Sequence, residues 1–538
     1  MLKIVEQNER IMVSDFDWDQ HLLQLSYYFQ GALPKEDFFL DGKPVRVLFE
    51  KTITLHQETS IRHQRIIWVH FEKKAKLSVM LNGYFEPIWL PPPAFAPFRR
   101  KMQRFMELSV DAVQVAFPNI RGARWGPGYG RKNIIHQIFR LIGQPLVGWF
   151  KSFPIIRHSY AGGWIFIERR DRADDNAEHL YRWLQKNHPE IRAWFILDRH
   201  CPDWNRLANE GFRLLPWTWR RFLPVLLSDH VISSHLCDHA TVPIGHHLAL
   251  LSQWRFTFLQ HGVIKDDLSR WLNQHLIDLM ITTTPGEHES IVGETSRYTL
   301  TRKEVRRTGL PRHDALLDRA RATPPEDITL IGIMPTWRKT LIYNAEQSVA
   351  SSGRDLVAKS NFVRNWVELL KHSRLFDLVV ASGKKLCLLP HPNLMPYVDA
   401  FQLPDYITII RSTDVSYQDV LCRTSVLLTD YSSVASEIAY LQRPVLYYQF
   451  DADEVFSGDA HFYEKGYFTY ESDGFGPVAS NIEELLVHFE KIVRNDFKPS
   501  DQYLQRMQNA FPERDGGACQ RVFNSIMELR QPYGNSKQ

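Results

Sequence analysis

Two histidines follow apolar runs that the sequence predicts to be buried strands. His261 ends the run FTFLQHG, and His391 ends the run KLCLLPHP. Imidazole is the side chain best suited to proton transfer near neutral pH, although a single histidine after a strand is more often structural. The two occupy the same position relative to a strand, one in each of two predicted domains. We therefore expect both to serve acid–base chemistry at one site.

Hydroxyl and carboxylate groups follow a third apolar run. The stretch LLTDYSSVASEIAYLQRPVLYYQFD places Asp430, Ser432 and Ser433 between a strand and the start of a helix. Unpaired N–H groups and the positive end of the helix, with two serine hydroxyls beside them, suit phosphate oxygens. Asp430 can cap the helix or accept a ligand hydroxyl. Simple N-capping by the serines is the alternative.

Basic residues complete this set of candidates. Thr336 and Arg338 stand at the end of the run DITLIGIMPTWR, and Arg312 lies near the predicted domain junction in TGLPRHD. A guanidinium can hold a phosphate through two parallel hydrogen bonds. The three residues are therefore candidates for binding an anionic donor.

The order of the predicted elements explains how these residues meet. From about residue 161, apolar strands (DLVVASG among them) alternate with helical segments in two series, 161–315 and 316–538. Such alternation predicts the α/β class, with two Rossmann-like domains, parallel sheets covered by helices and a cleft between the domains. Residues 1–95 carry β-type runs and turn signals, which predict a small β-rich domain.

We expect residues 96–160 to form a basic helical segment. Eleven Arg or Lys residues stand against two acidic residues between positions 97 and 158. An apolar face on the predicted helix would let this segment lie on an anionic membrane surface. A helical linker with a solvated charged face is the alternative, because Pro145 interrupts the helix. The candidates for contact with lipid head groups are Arg131, Lys132, Arg140 and Lys151.

Composition narrows the classes of function. The net charge of +4 on 538 residues implies no global field for nucleic acid. The five cysteines lack a CxxC pair, which argues against a disulfide framework and a zinc site and favours a reducing compartment. No signal-peptide pattern and no run of 18 apolar residues occurs. We therefore expect a cytoplasmic protein, peripheral on the inner face of the cell membrane.

Seven motifs, in their order, resemble the CDP-glycerol glycerophosphotransferase family, which includes teichoic-acid glycerophosphate polymerases and related bacterial capsule polymerases. They are IFIERRDRADDN, FLQHGVIKDDLS, TGLPRHDALL, IMPTWRKT, LLPHPNL, LLTDYSSVASEIAYLQRPVLYYQFD and the pair KGYFTY and GPVASNIEELL. The resemblance covers roughly residues 160–495. It implies a GT-B architecture in which the C-terminal Rossmann-like half holds the nucleotide.

The resemblance also implies a reaction. An acceptor hydroxyl would attack the β-phosphorus of a CDP-polyol, CDP-glycerol or CDP-ribitol, and release CMP. His261 matches the histidine of the family's HG motif and would take the hydroxyl proton. His391 matches the histidine of the HP motif and, with Arg338 and the Ser433 turn, would stabilise charge on the leaving phosphate. Asp430, Ser432 and Ser433 would flank the donor.

Two departures from the family pattern leave the polyol open. Gln260 stands where many members have Trp, and Ala435-Ser436-Glu437 replaces a frequent aromatic-Asp pair. The acceptor is expected to be a glycan or a polyol phosphate in teichoic-acid-like or capsule synthesis. Assistance by Mg²⁺ is left open, although the lack of clustered carboxylates argues against a tight metal site.

Two other functions stay open from the sequence. A GT-B glycosyltransferase, or an enzyme like the UDP-N-acetylglucosamine 2-epimerases, fits TDYSSVASEIAYLQRPVL but leaves His391 and the N-terminal extension unexplained. An inactive scaffold docked on the membrane would use only the basic segment. The presence of both histidines, Arg338 and the Ser-Ser turn in one chain speaks against a scaffold.

Overall fold

The computed structural model of the chain describes residues 13–19, 22–29, 31–57, 60–70, 77–81, 84–86, 153–154, 159–160, 162–245, 252, 254–338, 341–343, 350–411, 416–456 and 464–529. Most of the basic segment lies outside these ranges. Contact with a membrane therefore stays a prediction for Arg131, Lys132, Arg140 and Lys151, all outside the described residues. No helix in the described ranges combines the length and apolarity needed to cross a bilayer.

The N-terminal region folds into two antiparallel sheets, so its described part is β-rich as the sequence predicts. The sheet orders are β1-β2-β6-β5 and β4-β3-β7-β8. The core of this region contains apolar side chains that are almost fully buried, among them Leu22, Ile67 and Trp68. The strands are β1 (Val13–Asp19), β2 (Leu22–Phe29), β3 (Glu36–Leu40), β4 (Lys43–Val45), β5 (Val47–Gln57), β6 (Ser60–His70), β7 (Leu77–Leu81) and β8 (Tyr84–Glu86).

The first α/β domain is built on a parallel sheet of order β11-β10-β9-β12-β13-β14-β15. Strands such as WIFI are apolar and buried along their whole length, because helices cover both faces of the sheet. Its strands are β9 (Trp164–Ile167), β10 (Ala193–Leu197), β11 (Leu214–Pro216), β12 (His230–Ser233), β13 (Arg255–Phe258), β14 (Leu279–Thr282) and β15 (Val305–Arg307). Its helices are α1 (Asn176–Asn187), α2 (Asp203–Asn209), α3 (Phe222–Leu227), α4 (Asp238–Thr241), α5 (Ser269–Leu272), α6 (Pro285–Val292) and α7 (Pro311–Ala322).

The second α/β domain repeats this plan, with sheet order β18-β17-β16-β19-β20-β21. Its strands are β16 (Leu330–Ile333), β17 (Lys385–Leu388), β18 (Ile407–Ile409), β19 (Thr424–Thr429), β20 (Val445–Tyr448) and β21 (Val478–Ala479). The helices that follow β16 are α8 (Ala350–Ala358), α9 (Asn361–Leu370), α10 (Ser373–Ser382), α11 (Tyr417–Arg423), α12 (Val434–Tyr440), α13 (Ala452–Phe456), α14 (Tyr470–Asp473), α15 (Ile482–Arg494), α16 (Asp501–Ala510) and α17 (Ala518–Glu528).

One predicted strand is wrong. The run DLVVASG belongs to α10, which ends at Gly383 with φ of +66°. Its apolar residues also fit a helix, because Leu375 and Val379 lie four residues apart and are both buried. A glycine in the left-handed conformation is the usual end of a helix. The short apolar run alone could not separate the two structures.

In both sheets the chain order reverses beside the first strand. The reversal lies between β9 and β12 in the first domain and between β16 and β19 in the second. In parallel α/β sheets the crevice at the carboxyl ends of such strands is the usual ligand site. The loops after β9, β12, β16 and β19 are therefore the first places to look for chemistry.

The last helix, α17, crosses back to the first α/β domain. Cys519, Val522 and Ile526 pack there with Trp164 and Leu180 in one apolar cluster. The predicted segment 316–538 is thus not a self-contained unit, because its final helix completes the core of the other domain. A sequence pattern gives the helix but not the sheet on which it packs.

The N-terminal sheet also contacts the first α/β domain. Lys51 of β5 is fully buried, and its Nζ donates hydrogen bonds to the carbonyl oxygens of Ile291, at 2.6 Å, and Leu300, at 3.1 Å, and to Ser296 Oγ at 2.6 Å. Burial lowers the pKa of Lys51 to about 7. This contact joins β5 to the end of α6.

Candidate active site

The loop after β13 presents His261 to the cleft. Its side chain is 62% exposed, and its Nδ1 lies 2.5 Å from Oδ2 of Asp175. Asp175 is buried at the N-terminus of α1, where its carboxylate also accepts a hydrogen bond from the Asn176 backbone N–H at 2.8 Å. A carboxylate bonded to one ring nitrogen fixes the ring and leaves the other nitrogen, Nε2, to exchange a proton.

Buried polar groups hold this pair in place. Glu168, at the end of β9, accepts hydrogen bonds from the backbone N–H of Asp175 at 3.1 Å and of Glu178 at 3.0 Å. The Asn176 side chain donates to the carbonyl oxygen of Gln260 at 2.9 Å. Gln260 has φ of +61°, a strained conformation for a side chain of this size. The surrounding contacts therefore impose the turn that carries His261.

Arg312 links this pair to the second domain. Its Nη1 donates to Asp175 Oδ1 at 2.8 Å and to the carbonyl oxygen of His261 at 2.7 Å, and its Nη2 pairs with Glu437 of α12. Burial would raise the pKa of Asp175, but the charges of His261 and Arg312 outweigh it and hold that pKa well below its usual range. Arg312, predicted to bind the donor, is committed to these partners and positions Asp175.

Ser433 lies directly across the cleft from this loop. A Cβ atom built on Gly262 would come 3.3 Å from Ser433 Oγ, so a glycine allows the close approach of the two domains. Ser433 precedes α12 and makes no side-chain capping bond, whereas Ser432 Oγ accepts a long hydrogen bond from the Val434 N–H at 3.4 Å. The exposed hydroxyl of Ser433 is therefore available to a ligand, and capping describes Ser432 better.

A cavity of about 270 Å³ opens beside the two serines. Lys265 and Tyr470 are among its lining residues, and Lys265 Nζ donates to the Tyr431 carbonyl oxygen at 2.5 Å. The loop after β13 therefore contacts the second domain at several points, among them Gly262, Lys265 and Asp267, whose backbone N–H donates to the carbonyl oxygen of Glu464 at 2.9 Å. These contacts place the His261 loop against the Ser432–Ser433 turn.

Arg338 is in a different setting from the predicted one. It is buried, and its guanidinium bonds Asp451 through Nε at 2.8 Å and Nη2 at 3.0 Å, and pairs with Asp430 Oδ2 at 3.0 Å. Asp430 is also buried and accepts hydrogen bonds from the backbone N–H of Thr336 at 2.8 Å and of Tyr431 at 2.6 Å. Both side chains hold the loops after β16 and β19 together, and binding of the donor by Arg338 or Asp430 stays a prediction.

His391 is half-exposed at the carboxyl end of β17. Its ring stacks on Trp337, with centroids 5.5 Å apart and an angle of 18° between the planes. Its Nδ1 accepts a hydrogen bond from the Asn393 backbone N–H at 3.2 Å, at the start of a 3₁₀ helix over Pro392–Phe401. The ring is thus fixed at the strand end, where the sequence predicted it, with Nε2 as its second polar atom.

Sequence reasoning missed Asp175, Glu437 and His235. Asp175 stands in the quoted motif DRADDN, and its position between a strand and a helix is the signal that could have found it. His235 follows β12, and its ring centroid lies 5.1 Å from that of His261. Burial lowers the pKa of His235 to about 4, despite its Nε2 being 3.7 Å from Asp175 Oδ2.

Two Rossmann-like domains that meet at a shared cleft define the GT-B class of fold. The wall teichoic acid polymerase TagF has the same fold: its structure aligns with a TM-score of 0.51 at 15% identity, over 76% of this chain and 99% of that one. The chain belongs to the CDP-glycerol:poly(glycerophosphate) glycerophosphotransferase family, whose model matches residues 161–528.

Two curated relatives show how far this similarity extends. The minor teichoic acid biosynthesis protein GgaB of Bacillus subtilis is 30% identical over 373 residues, 68% of this chain. The teichoic acid poly(glycerol phosphate) polymerase of Staphylococcus epidermidis is 24% identical over 373 residues, 63% of this chain. The matched regions span only 40% and 46% of these relatives' own lengths.

Proposed function

We propose that the chain transfers a polyol phosphate from a CDP-polyol, CDP-glycerol before CDP-ribitol, to an acceptor hydroxyl. The observation that carries this proposal is the exposed His261 paired with the buried Asp175, on a loop whose next residue, Gly262, lies against Ser433. Family membership supports the class of donor. A variant of TagF, which shares this fold, has been solved with CDPG.

The proposed reaction is a displacement at phosphorus. The acceptor oxygen attacks the β-phosphorus of the donor, the bond from that phosphorus to the oxygen of CMP breaks, and a phosphodiester forms. His261 Nε2 takes the proton of the attacking hydroxyl, and Asp175 stabilises the imidazolium that results. General-base help of this kind is typically worth about 10²- to 10⁴-fold in rate.

The donor side of the proposal uses groups of the second domain. CMP leaves as an anion, so hydrogen-bond donors near its phosphate lower the barrier. His391 Nε2 and the hydroxyl of Ser433 are the candidates, with Ser432 beside them. Arg338 and Asp430 contribute indirectly, because their ion pair fixes the loops that carry Thr336 and the two serines.

The setting of the reaction is also proposed from the family. The acceptor is a glycan or a polyol phosphate in teichoic-acid-like or capsule synthesis, at the inner face of the cell membrane, with the basic segment as the contact to anionic lipid. Assistance by Mg²⁺ stays open. Mg²⁺ prefers oxygen ligands to the imidazoles of this site.

The test follows nucleotide release by mass spectrometry. The full chain is incubated with a glycerol phosphate oligomer and, in separate reactions, CDP-glycerol, CDP-ribitol and UDP-N-acetylglucosamine. We expect CMP from CDP-glycerol, and a loss of about 10²- to 10⁴-fold in rate for His261→Ala. His391→Ala should also lose activity, because it removes a donor near the leaving phosphate.

His488→Ala is the matched control, because this histidine is half-exposed on α15, outside the cleft loops. It should keep the parental rate. Turnover of the UDP-sugar alone would replace this function with that of a GT-B enzyme acting on nucleotide sugars. Full activity in His261→Ala would remove the general-base assignment.

A further inference from the structure

Three potential metal ligands meet at the edge of the first sheet. One carboxylate oxygen of Asp175 and one ring nitrogen each of His235 and His261 all lie within 4.8 Å of one another, the one such group within the described residues. Asp175 Oδ2 is 2.5 Å from His261 Nδ1 and 3.7 Å from His235 Nε2. Ligand atoms around a zinc ion stand about 2.0–2.2 Å from it, so small side-chain rotations would bring all three into range.

The three side chains come from separate elements, and the fold already brings their ligand atoms together. Asp175 begins α1, His235 follows β12 and His261 follows β13. Asp175 and His235 are held inside the domain, while His261 is open to the cleft. A bound ion would therefore keep an open coordination position toward solvent, which His261 borders.

The chemistry of the set fits a borderline metal. Two imidazoles and one carboxylate match the ligands of Zn²⁺ and Co²⁺, whereas Mg²⁺ and Ca²⁺ prefer oxygen. Asp175 and His235 are already positioned within the domain, so the site needs little rearrangement to receive an ion. The charge of Arg312, 2.8 Å from the other oxygen of Asp175, opposes a cation, but Glu437 pairs with the same guanidinium and offsets it.

We propose that Asp175, His235 and His261 form a binding site for Zn²⁺ or a similar transition metal ion, and that the bound ion inhibits transfer. On binding, His261 Nδ1 gives its lone pair to the metal. The single proton of the neutral ring then resides on Nε2, through exchange with solvent. Nε2 has no lone pair left to take the proton of an acceptor hydroxyl. The inhibitory part rests on the proposed function, and the binding part does not.

The test uses the full chain after removal of metal with EDTA. Co²⁺ is the spectroscopic probe, because its visible absorption reports coordination by nitrogen and oxygen at a low-symmetry site. Zn²⁺ is then titrated in competition, and in parallel CMP release is measured at each Zn²⁺ concentration. We expect one ion per chain, inhibition that follows occupancy, and recovery of activity on adding EDTA.

His235→Asn separates this site from adventitious binding. Loss of a direct ligand should weaken Co²⁺ and Zn²⁺ binding by more than about tenfold, and should shift the Zn²⁺ concentration for half-inhibition by the same factor relative to the variant's own uninhibited rate. His488→Asn, a histidine on α15, should change neither. Thermal unfolding of both variants without metal shows whether the fold is intact, and His235→Gln serves if His235→Asn is unstable.

The outcomes distinguish the two proposals. Equal Zn²⁺ affinity in the parent and His235→Asn, or no binding at micromolar Zn²⁺, overturns the metal site. Binding that His235→Asn weakens, with no inhibition, keeps the site and contradicts proton transfer by His261. Absence of CMP release without metal removes the proposed function, and the Co²⁺ spectrum still tests the site.

Discussion

The two α/β domains share a strand order but use their polar residues differently. At the edge of the first sheet the buried Asp175 points its charge toward His261, whose side chain is 62% exposed. At the corresponding edge of the second sheet the side chains of Arg338, Asp430 and Asp451 are only 5%, 0% and 3% exposed. At the edge of the first sheet the charged pair includes a side chain that is open to a ligand. At the edge of the second sheet the charged groups pair with one another and hold the loops together.

The difference follows from how charge is buried. A buried arginine is tolerated only when its N–H donors are paired. The carboxylates of Asp430 and Asp451 pair with the guanidinium of Arg338. A motif rich in Arg, Asp and Ser can therefore mark either a ligand site or an internal ion pair. At its open edge the second domain presents His391 and Ser433.

The largest expected effect tests the edge of the first sheet, where Asp175 pairs with His261. Asp175→Asn keeps the shape of the side chain and its bond to the Asn176 N–H, but an amide cannot stabilise the imidazolium of His261. We expect kcat for CMP release, measured well below the melting temperature, to fall by about 10²- to 10⁴-fold. The melting temperature should fall as well, because the variant loses the buried ion pair with Arg312. Undiminished kcat would show that His261 works without its carboxylate and would break the comparison.

The next effect tests the edge of the second sheet, where Arg338 pairs with Asp430 and Asp451. Arg338→Leu leaves Asp430 and Asp451 buried without a counter-charge, so the free energy of unfolding should fall by about 3–5 kcal/mol in urea denaturation. The matched control is Arg319→Leu, which removes the half-exposed pair with Asp419 and should cost less than about 1 kcal/mol. A stable Arg338→Leu protein that has lost CMP release would mean that Arg338 reaches the donor.

Most of the architecture could be predicted from the sequence, because alternating apolar runs and helical segments specify two parallel α/β sheets. The strand ends bearing His261, His391 and Ser433 followed from the same pattern. The partners of these residues did not. Glu437 pairs with Arg312, which lies 125 residues away in the chain, and Arg338 pairs with Asp451, 113 residues away. No local spacing in the sequence encodes such pairs.

A third prediction concerns how the edge of the first sheet is supported. Glu287, near the start of α6, accepts a hydrogen bond from the Ile264 N–H at 2.7 Å, and Lys51 binds carbonyl groups at the other end of that helix. The loop after His261 is thus held from the N-terminal sheet through α6. In the second domain Arg338 holds the corresponding loops from within.

The pH dependence of stability checks this support. The pKa of Lys51 is about 7 in the folded chain, against 10.5 for an ordinary lysine, so between these values the unfolded chain binds more protons. The contribution of Lys51 to stability should therefore rise from pH 7 to pH 10.5, and Lys51→Met should lower the slope of stability against pH by up to about 1.4 kcal/mol per pH unit. Equal slopes in urea denaturation of the two proteins would show that Lys51 is not buried in solution.

The smallest effect compares the two adjacent serines at the open edge of the second domain. Ser433 Oγ makes no capping bond, so Ser433→Ala should leave the melting temperature unchanged. It should lower kcat/KM for CDP-glycerol by the equivalent of one hydrogen bond, about 0.5–1.5 kcal/mol. Ser432→Ala loses the bond to the Val434 N–H and should lower stability slightly instead. If Ser433→Ala alters stability and leaves kcat/KM unchanged, the Ser433 hydroxyl supports the fold of the second domain and does not bind the donor.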